Sequence, residues 1–154
     1  MKNILKNLNP ADLYTKDLDH FDFSNQRQEI SRNLLLVEDE APIQNAIYNL
    51  LKPMGFEVVI ASSGAEALSL FVDSPFSIVV TDFAIMHMNS LILTTHIKNM
   101  SPATPVILLV GGESEDDINQ LETGRELFYS IIFKPFKMSE LQNAIEGAII
   151  YGNR

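Results

Sequence analysis

The sequence predicts an α/β domain with a three-layer α/β/α architecture, in which a five-stranded parallel sheet lies between two layers of helices. From residue 33 onward, short apolar runs rich in Val, Ile and Leu alternate five times with stretches of helical periodicity. Several runs are apolar throughout, which is typical of parallel strands that are buried on both faces. Because crossovers between parallel strands are right-handed, few topologies remain, and we expect the strand order 2-1-3-4-5.

The first strand is predicted at residues 34–37, which are all apolar. The first helix is predicted to begin at Pro42, because proline is well tolerated in the first turn of a helix. Its apolar residues recur at helical spacing, and it is expected to end near Pro53, which cannot continue a helix. The next apolar run predicts the second strand at residues 56–61.

The second helix is predicted to begin after Ser62 or Ser63, because a serine hydroxyl can accept a hydrogen bond from an N–H group of the first turn. Its apolar residues lie on one face, and Pro75 follows its end. The next apolar run predicts the third strand at residues 78–81, and the pattern that follows predicts the third helix at residues 90–99.

A proline at position 105 leads into the fourth predicted strand, residues 106–110. The fourth helix is expected within residues 114–126, where glycines on both sides make the pattern irregular. Residues 129–133 are rich in β-branched and aromatic side chains and predict the fifth strand. The fifth helix is expected at about residues 138–149.

The first 32 residues differ from the rest of the chain, since they are rich in Asn, Asp and Gln and their apolar residues are scattered. Such a segment has too few apolar side chains to form its own core. We therefore expect residues 1–32 to be a flexible or loosely docked extension, and residues 33–154 to form the folded domain.

Charge and composition exclude several classes of function. Residues 1–32 contain five basic and five acidic side chains, so residues 33–154 carry the whole formal net charge of −9. Nucleic acid should repel so acidic a domain, and direct DNA or RNA binding is not expected. The absence of cysteine excludes disulfides, thiolate catalysis and zinc–thiolate sites. No apolar run approaches the length of a membrane span or resembles a signal peptide, so a cytoplasmic location is expected.

Charged residues follow three of the predicted strands at their carboxyl ends. Glu38 and Asp39 follow the first strand, Asp82 the third and Lys134 the fifth. In open α/β sheets, ligands bind just beyond the carboxyl ends of the strands, so these side chains are expected to converge. Three carboxylates and one ammonium group suit a divalent cation and a phosphoryl group.

These motifs in this order resemble the receiver domain of bacterial two-component response regulators, a flavodoxin-like fold. The resemblance covers residues 33–149 and rests on the acidic pair, on Asp82 and on the string Lys-Pro-Phe at 134–136. It implies phosphorylation of Asp82 by a histidine kinase or phosphotransfer protein, with Mg²⁺ as cofactor. In this family the peptide bond before the proline is commonly cis, so the resemblance also implies a cis bond before Pro135. The output is expected from a downstream partner or a domain outside this sequence.

The resemblance also implies a role for each site residue. Asp39 and Asp82 would bind Mg²⁺ directly, Glu38 would act mostly through water, and the backbone carbonyl of Ala84 would supply another oxygen. Lys134 would pair with the phosphoryl group as a mobile point charge. The implied phosphoacceptor is Asp82, whose carboxylate would form an acyl phosphate.

This chain departs from the family at two switch positions. Val110 stands at the end of the fourth strand, where the family has a Thr or Ser hydroxyl that bonds a phosphoryl oxygen. Ile131 stands three residues before the lysine, where the family has Tyr or Phe. The loop after Asp82 also lacks the family's Met-Pro and Gly pattern, but Asn89 tolerates tight turns and is expected to keep the turn.

Two functions remain open on this sequence. The first is a phosphoaccepting receiver with an altered switch, and the second is a pseudo-receiver that acts as a phosphate-independent protein-interaction module. An independent enzyme is not expected, apart from self-catalysed phosphoryl transfer and autodephosphorylation. The stretch after Asp82 lacks the second aspartate of haloacid-dehalogenase-like phosphatases, and the chain has no P-loop string.

Overall fold

The computed structural model describes residues 31–152 of this chain. The predicted extension therefore lies almost wholly outside the described residues, and its division from the domain at residue 32 stays a prediction. Arg32 contacts the folded domain: its guanidinium lies 5.0 Å from the centre of the Phe56 ring. Its Nη1 atom also lies 3.2 Å from Oε1 of Glu146, near the end of the chain.

The described residues contain seven strands. They are β1 (Asn33–Val37), β2 (Glu57–Ala61), β3 (Ile78–Asp82), β4 (Ala84–Ile85), β5 (Met88–Asn89), β6 (Val106–Val110) and β7 (Ser130–Phe133). Five of them form a parallel sheet in the order β2-β1-β3-β6-β7, while β4 and β5 form a separate antiparallel hairpin. The predicted order 2-1-3-4-5 is confirmed, because β6 and β7 are the fourth and fifth strands of the sheet. Strand β6 thus lies between β3 and β7.

Among residues 31–152, five α-helices cover the two faces of the sheet. They are α1 (Ala41–Leu51), α2 (Gly64–Asp73), α3 (Ser90–Met100), α4 (Glu115–Thr123) and α5 (Met138–Gly152). Helices α1 and α5 pack on one face, and α2, α3 and α4 pack on the other. Within β1, Leu34 and Leu36 face the first layer, and Leu35 and Val37 face the second, as the alternation of a strand requires.

Burial on both faces explains the continuous apolar runs in the sequence. Every residue of β3 and β6 is buried, including Asp82. The edge strand β2 instead alternates between exposed and partly buried residues up to Ile60, and only its last residue, Ala61, is buried. Fully apolar strands therefore mark the centre of a sheet that is covered by helices, where no position faces water.

The structure moves one predicted boundary and defines two that the sequence left open. Strand β2 begins one residue later than predicted, because the backbone N–H of Phe56 donates its hydrogen bond to the carbonyl of Leu51 at the end of α1, at 3.4 Å. Ser63, rather than Ser62, caps α2 and accepts a hydrogen bond from the backbone N–H of Glu66 at 3.1 Å. Helix α4 ends at Thr123, and a short 3-10 turn, Arg125–Leu127, then leads towards β7.

The loop after β3 contains a hairpin that the sequence did not reveal. The turn is kept, but His87 rather than Asn89 adopts the left-handed conformation, with a φ of 62°. Asn89 instead caps α3, since its Oδ1 accepts a hydrogen bond from the N–H of Ile92 at 3.0 Å. Met88 packs closely on Gly64 at the start of α2, where an added Cβ would lie 2.7 Å from the methionine sulfur.

Candidate functional site

The carboxyl ends of β1 and β3 bring two carboxylates to the same level of the sheet. Val37 pairs with Thr81 in the register of these neighbouring strands, so Glu38 and Asp82 are the next residues on each. Both are buried, Glu38 completely and Asp82 to all but 8%. The order of the strands thus turns a separation of 44 positions in sequence into a shared site.

Lys134 completes this site from the end of β7. Its Nζ lies 2.6 Å from Oδ1 of Asp82, and both side chains are mostly removed from water. The backbone N–H of Lys134 donates a hydrogen bond to the carbonyl of Val110 at 2.7 Å, which ties the end of β7 to β6. The peptide bond between Lys134 and Pro135 is cis. The contact of 2.6 Å between Lys134 and Asp82 joins opposite charges, so it is a strong, charge-assisted hydrogen bond.

Glu38 is held in an unfavourable environment for a carboxylate. Burial, and next the negative charge of Asp82, raise the pKa of Glu38 from 4.5 to about 7, although a hydrogen bond from the backbone N–H of Glu40 opposes this. Its Oε2 is buried and, among residues 31–152, has no hydrogen-bond partner. Such an oxygen would gain from a proton or a cation beside it.

Lys134 retains its charge despite partial burial. Burial by itself lowers the pKa of the Lys134 ammonium, but the hydrogen bond with Asp82 and the charges of Asp82, Glu38 and Glu40 outweigh it and raise the pKa above the ordinary value. The lysine is therefore positively charged at neutral pH, and it offsets part of the negative charge of the site.

An acidic group lies at the start of α1. The carboxylates of Glu38, Asp39 and Glu40 each offer an oxygen, and these oxygens lie within 4.8 Å of one another. Asp39 and Glu40 are exposed, so they can exchange water for a ligand at little cost. Hard divalent cations such as Mg²⁺ prefer oxygen ligands, and this donor set, with its buried unpartnered oxygen, fits such an ion.

The structure therefore places the predicted site residues in two adjoining parts. Glu38, Asp82 and Lys134 meet in a partly buried centre, and Asp39 lies on its exposed side. Ala84 is exposed and lies two residues beyond Asp82, at the start of β4. Sequence reasoning did not include Glu40 among the metal-binding residues, although it is the next residue in the same acidic string.

Both switch positions lie in the core on the α2–α3–α4 face. Val110 is 2% exposed, and Ile131 is partly buried against the same cluster, which includes Leu108, Leu121 and Phe128. Neither side chain has a group that can donate a hydrogen bond. The part of the site that would sense a phosphoryl group in the family is therefore apolar and packed in this chain.

Replacing Glu38 by glutamine should stabilise the protein above neutral pH. The native state holds the Glu38 proton up to about pH 7, whereas the unfolded state releases it near pH 4.5, so the parent loses stability as pH rises between these values. Glu38→Gln avoids this loss and should be more stable than the parent at pH 8 by about 2–3 kcal/mol. Urea unfolding without metal, at pH 8 and at pH 5, measures the difference.

The difference in stability between Glu38→Gln and the parent should be smaller at pH 5, because Glu38 is then mostly protonated in the folded parent. Glu115→Gln is the matched control, since Glu115 is exposed in the first turn of α4 and its substitution should change stability little at either pH. An equal effect of Glu38→Gln at both pH values would show that burial of the charge is not the cause.

Within residues 31–152, no helix combines the length and the apolar character that crossing a membrane requires.

Comparison with known proteins identifies the family. The family model described as the response regulator receiver domain matches residues 34–146. The chain is 30% identical over 109 residues to Regulator of RpoS from Escherichia coli K12. The aligned residues cover 70% of this chain and 32% of that protein. It is 28% identical over 120 residues to Transcriptional regulatory protein ZraR from the same organism, covering 77% of this chain and 26% of that protein.

A solved structure agrees with this assignment. The crystal structure of a response regulator receiver domain protein from Clostridium thermocellum matches with a TM-score of 0.69 and 30% identity, covering 77% of this chain and 94% of that chain. The chain spans about a third or less of the two curated relatives named above. It belongs to the family of response regulator receiver domains, which are signalling modules of two-component systems.

Proposed function

We propose that this chain accepts a phosphoryl group on Asp82 from a histidine kinase or phosphotransfer protein, with Mg²⁺ as cofactor. The observation that carries the proposal is the contact of 2.6 Å between Lys134 Nζ and Asp82 Oδ1, beside the buried carboxylate of Glu38. A lysine and an unpartnered carboxylate oxygen around one aspartate match the needs of phosphoryl transfer, which are positioning and charge compensation.

The proposed reaction is a direct transfer between two side chains. An oxygen of the Asp82 carboxylate attacks the phosphorus of a phosphohistidine, the P–N bond breaks, and its electron pair leaves with the imidazole. The product is an acyl phosphate on Asp82. Lys134, which pairs with Asp82 before the reaction, would then pair with a phosphoryl oxygen and balance its negative charge.

The acidic residues would hold the cation. Asp39, Asp82 and the backbone carbonyl of Ala84 would bind Mg²⁺ directly, and Glu38 would act mostly through water. When bound, Mg²⁺ would reduce the repulsion between the carboxylates and the incoming phosphoryl group. The burial of Glu38, which makes its ionised form costly, supports the binding of a cation beside it before phosphorylation.

Magnesium should bind weakly to the unmodified protein. Titration with Mg²⁺ should shift the backbone amide signals near Asp39, Asp82 and Ala84, and Asp39→Asn should weaken binding by about tenfold or more because it removes a charged ligand. Asp73→Asn is the matched control, since Asp73 is exposed at the far end of α2. Absence of shifts near these residues, or equal affinity in Asp39→Asn, would contradict the assignment.

The proposal is tested by incubating the protein with acetyl phosphate and Mg²⁺ and measuring its intact mass. A receiver should gain the mass of one phosphoryl group, and removal of Mg²⁺ with EDTA should prevent the gain. The same measurement decides on the second candidate function, a pseudo-receiver that acts as a phosphate-independent interaction module. That candidate is favoured by the apolar, packed residues Val110 and Ile131, and it predicts no added mass.

The output and location belong to the same proposal. The response would be passed to a downstream protein partner or to an output domain outside this sequence, in the cytoplasm. Direct binding of nucleic acid by this domain is not part of it, because residues 33–154 carry the full net charge of −9.

A further inference from the structure

A groove lies beside the edge strand β2, towards the amino ends of the strands and away from the acidic site. It has a volume of about 210 Å³ and is lined by β2 and by the carboxyl-terminal end of α2. Its apolar side chains include Val59 of β2, which is 38% exposed, Leu70 of α2, and Phe76. A partly exposed apolar surface of this kind can take up another apolar side chain.

Strand β2 also has a free backbone edge beside this groove. Within residues 31–152, β1 is its only neighbour in the sheet. The N–H of Glu57 donates a hydrogen bond towards β1, to the carbonyl of Arg32 at 2.9 Å. Because the N–H groups of a strand alternate in direction, those of Val58 and Ile60 point away from β1. Such an edge can accept a further extended segment, and a pocket beside the edge can accept its alternate side chains.

The chain enters the folded domain at this groove. Asn33 is the first residue of β1, and it also lines the groove. Its carbonyl accepts a hydrogen bond from the N–H of Ser77 at 2.8 Å. The guanidinium of Arg32 is held on the other face of the sheet by Phe56 and Glu146. The residues that precede Ser31 are therefore tethered at the edge of the groove.

The sequence before this tether contains two aromatic residues at a suitable spacing. Phe21 and Phe23 are two positions apart, so in an extended segment both side chains point to the same face. Ten chain steps separate Phe23 from Asn33, and a flexible chain of that length spans about 16–19 Å. The five residues of β2 span about 16 Å, so the two phenylalanines can reach the groove.

Charge also favours this segment as the occupant. The charged residues among the described lining of the groove are Glu57 and Asp73, which are both acidic and exposed. Arg27 lies between the phenylalanines and Asn33, whose register partner in β2 is Glu57, so it would pass this carboxylate. A second copy of the domain would carry a net charge of −9 to the same acidic surface and would be repelled.

We propose that residues 21–24 of this chain add to the free edge of β2 as an extended segment, with Phe21 and Phe23 in the groove and Arg27 beside Glu57. The segment runs antiparallel to β2, because its carboxyl end must return to the start of β1. Residues 25–32 are long enough to pass the amino end of β2, a distance of about 10 Å or two strand spacings.

The tether makes even a weak contact sufficient. A short flexible connection gives an effective concentration of about 1 mM, so a contact with a dissociation constant of about 0.1 mM is formed about ten times as often as it is broken. This docking belongs to the unmodified protein. It can therefore be measured without Mg²⁺ and without beryllofluoride, the mimic of an acyl phosphate, and its outcome is separate from that of the proposed function.

A spin label on the full chain tests the docking. The sequence contains no cysteine, so Asn25→Cys provides a single attachment site. Amide signals of residues 57–60 and 70–76 should lose most of their intensity when the label is paramagnetic, while those of α4 should not. Adding Val59→Asp, which places a charge in the groove, should restore the signals. Val72→Asp is the matched control, since Val72 is a 69% exposed valine of α2 that does not line the groove.

Hydrogen exchange provides a second readout that needs no label. The amides of Val58 and Ile60 should exchange about tenfold faster in the double variant Phe21→Ser/Phe23→Ser than in the parent, because the edge is then uncovered. Both substitutions lie outside the folded domain, so this variant decides should Val59→Asp fail to fold.

Three results would overturn the proposal. The first is full intensity of the groove signals beside the label, or equal loss with Val59→Asp. The second is unchanged exchange of Val58 and Ile60 in the double serine variant. The third is the same loss of intensity in isotope-labelled parent mixed with unlabelled protein that carries the spin label, since the occupant would then be a second copy.

Discussion

Asp82→Asn should abolish phosphorylation by acetyl phosphate. The amide of asparagine is not a nucleophile under these conditions. Among the described residues, Asp82 is the carboxylate that pairs with the Lys134 ammonium, at a distance of 2.6 Å. The substitution keeps the size of the side chain, so the fold should be retained. Intact mass after incubation with acetyl phosphate and Mg²⁺ should show one added phosphoryl group on the parent and none on the variant.

Asp116→Asn is the control for this experiment. Asp116 is exposed in the first turn of α4, outside the acidic group of the site, and its substitution should leave the extent of phosphorylation unchanged. Labelling of Asp82→Asn to the same extent as the parent would place the phosphoacceptor elsewhere. Loss of labelling in both variants would point to an indirect effect of charge.

The response to phosphorylation should be small in the parent and larger in a variant with restored switch residues. A receiver normally transmits through a hydroxyl at position 110 and an aromatic side chain at position 131, and this chain has Val110 and Ile131 instead. The missing hydrogen bond to a charged acceptor is worth on the order of 1.5–3 kcal/mol. A phosphoryl group shifts the equilibrium between the inactive and active conformations only as far as it interacts more favourably with one of them. Without this hydrogen bond, the shift towards the active conformation should be smaller.

Hydrogen exchange with and without beryllofluoride measures this response. The parent should show little change over residues 111–134, and Val110→Thr combined with Ile131→Tyr should show clear changes there. Val106→Thr is the matched control, since Val106 is a buried valine of the same strand, at the end remote from the site. Large changes over residues 111–134 in the parent would mean that the chain switches by another route, for which the Lys134 pair is the first candidate.

The central strands could be predicted because their pattern is local. Residues 34–37 and 106–110 are apolar throughout, and only burial on both faces of a sheet accounts for such runs. The hairpin β4–β5 could not be predicted in this way, since its two strands have two residues each. Its turn requires the left-handed conformation of His87, and Met88 packs on Gly64; neither feature leaves a periodic signal in the sequence.

By itself, the sequence determined the topology and the kinds of side chain at the carboxyl ends of the strands, because right-handed crossovers and apolar runs fix which ends meet. Tertiary structure alone decided the electrostatics of the site. The raised pKa of Glu38 depends on burial and on Asp82, which is 44 positions away. The contact of Lys134 with Asp82 depends on the strand order, which places the ends of β3 and β7 on either side of β6. Desolvation and steric fit arise from residues distant in the chain, so they exist only once the sheet has brought those residues together.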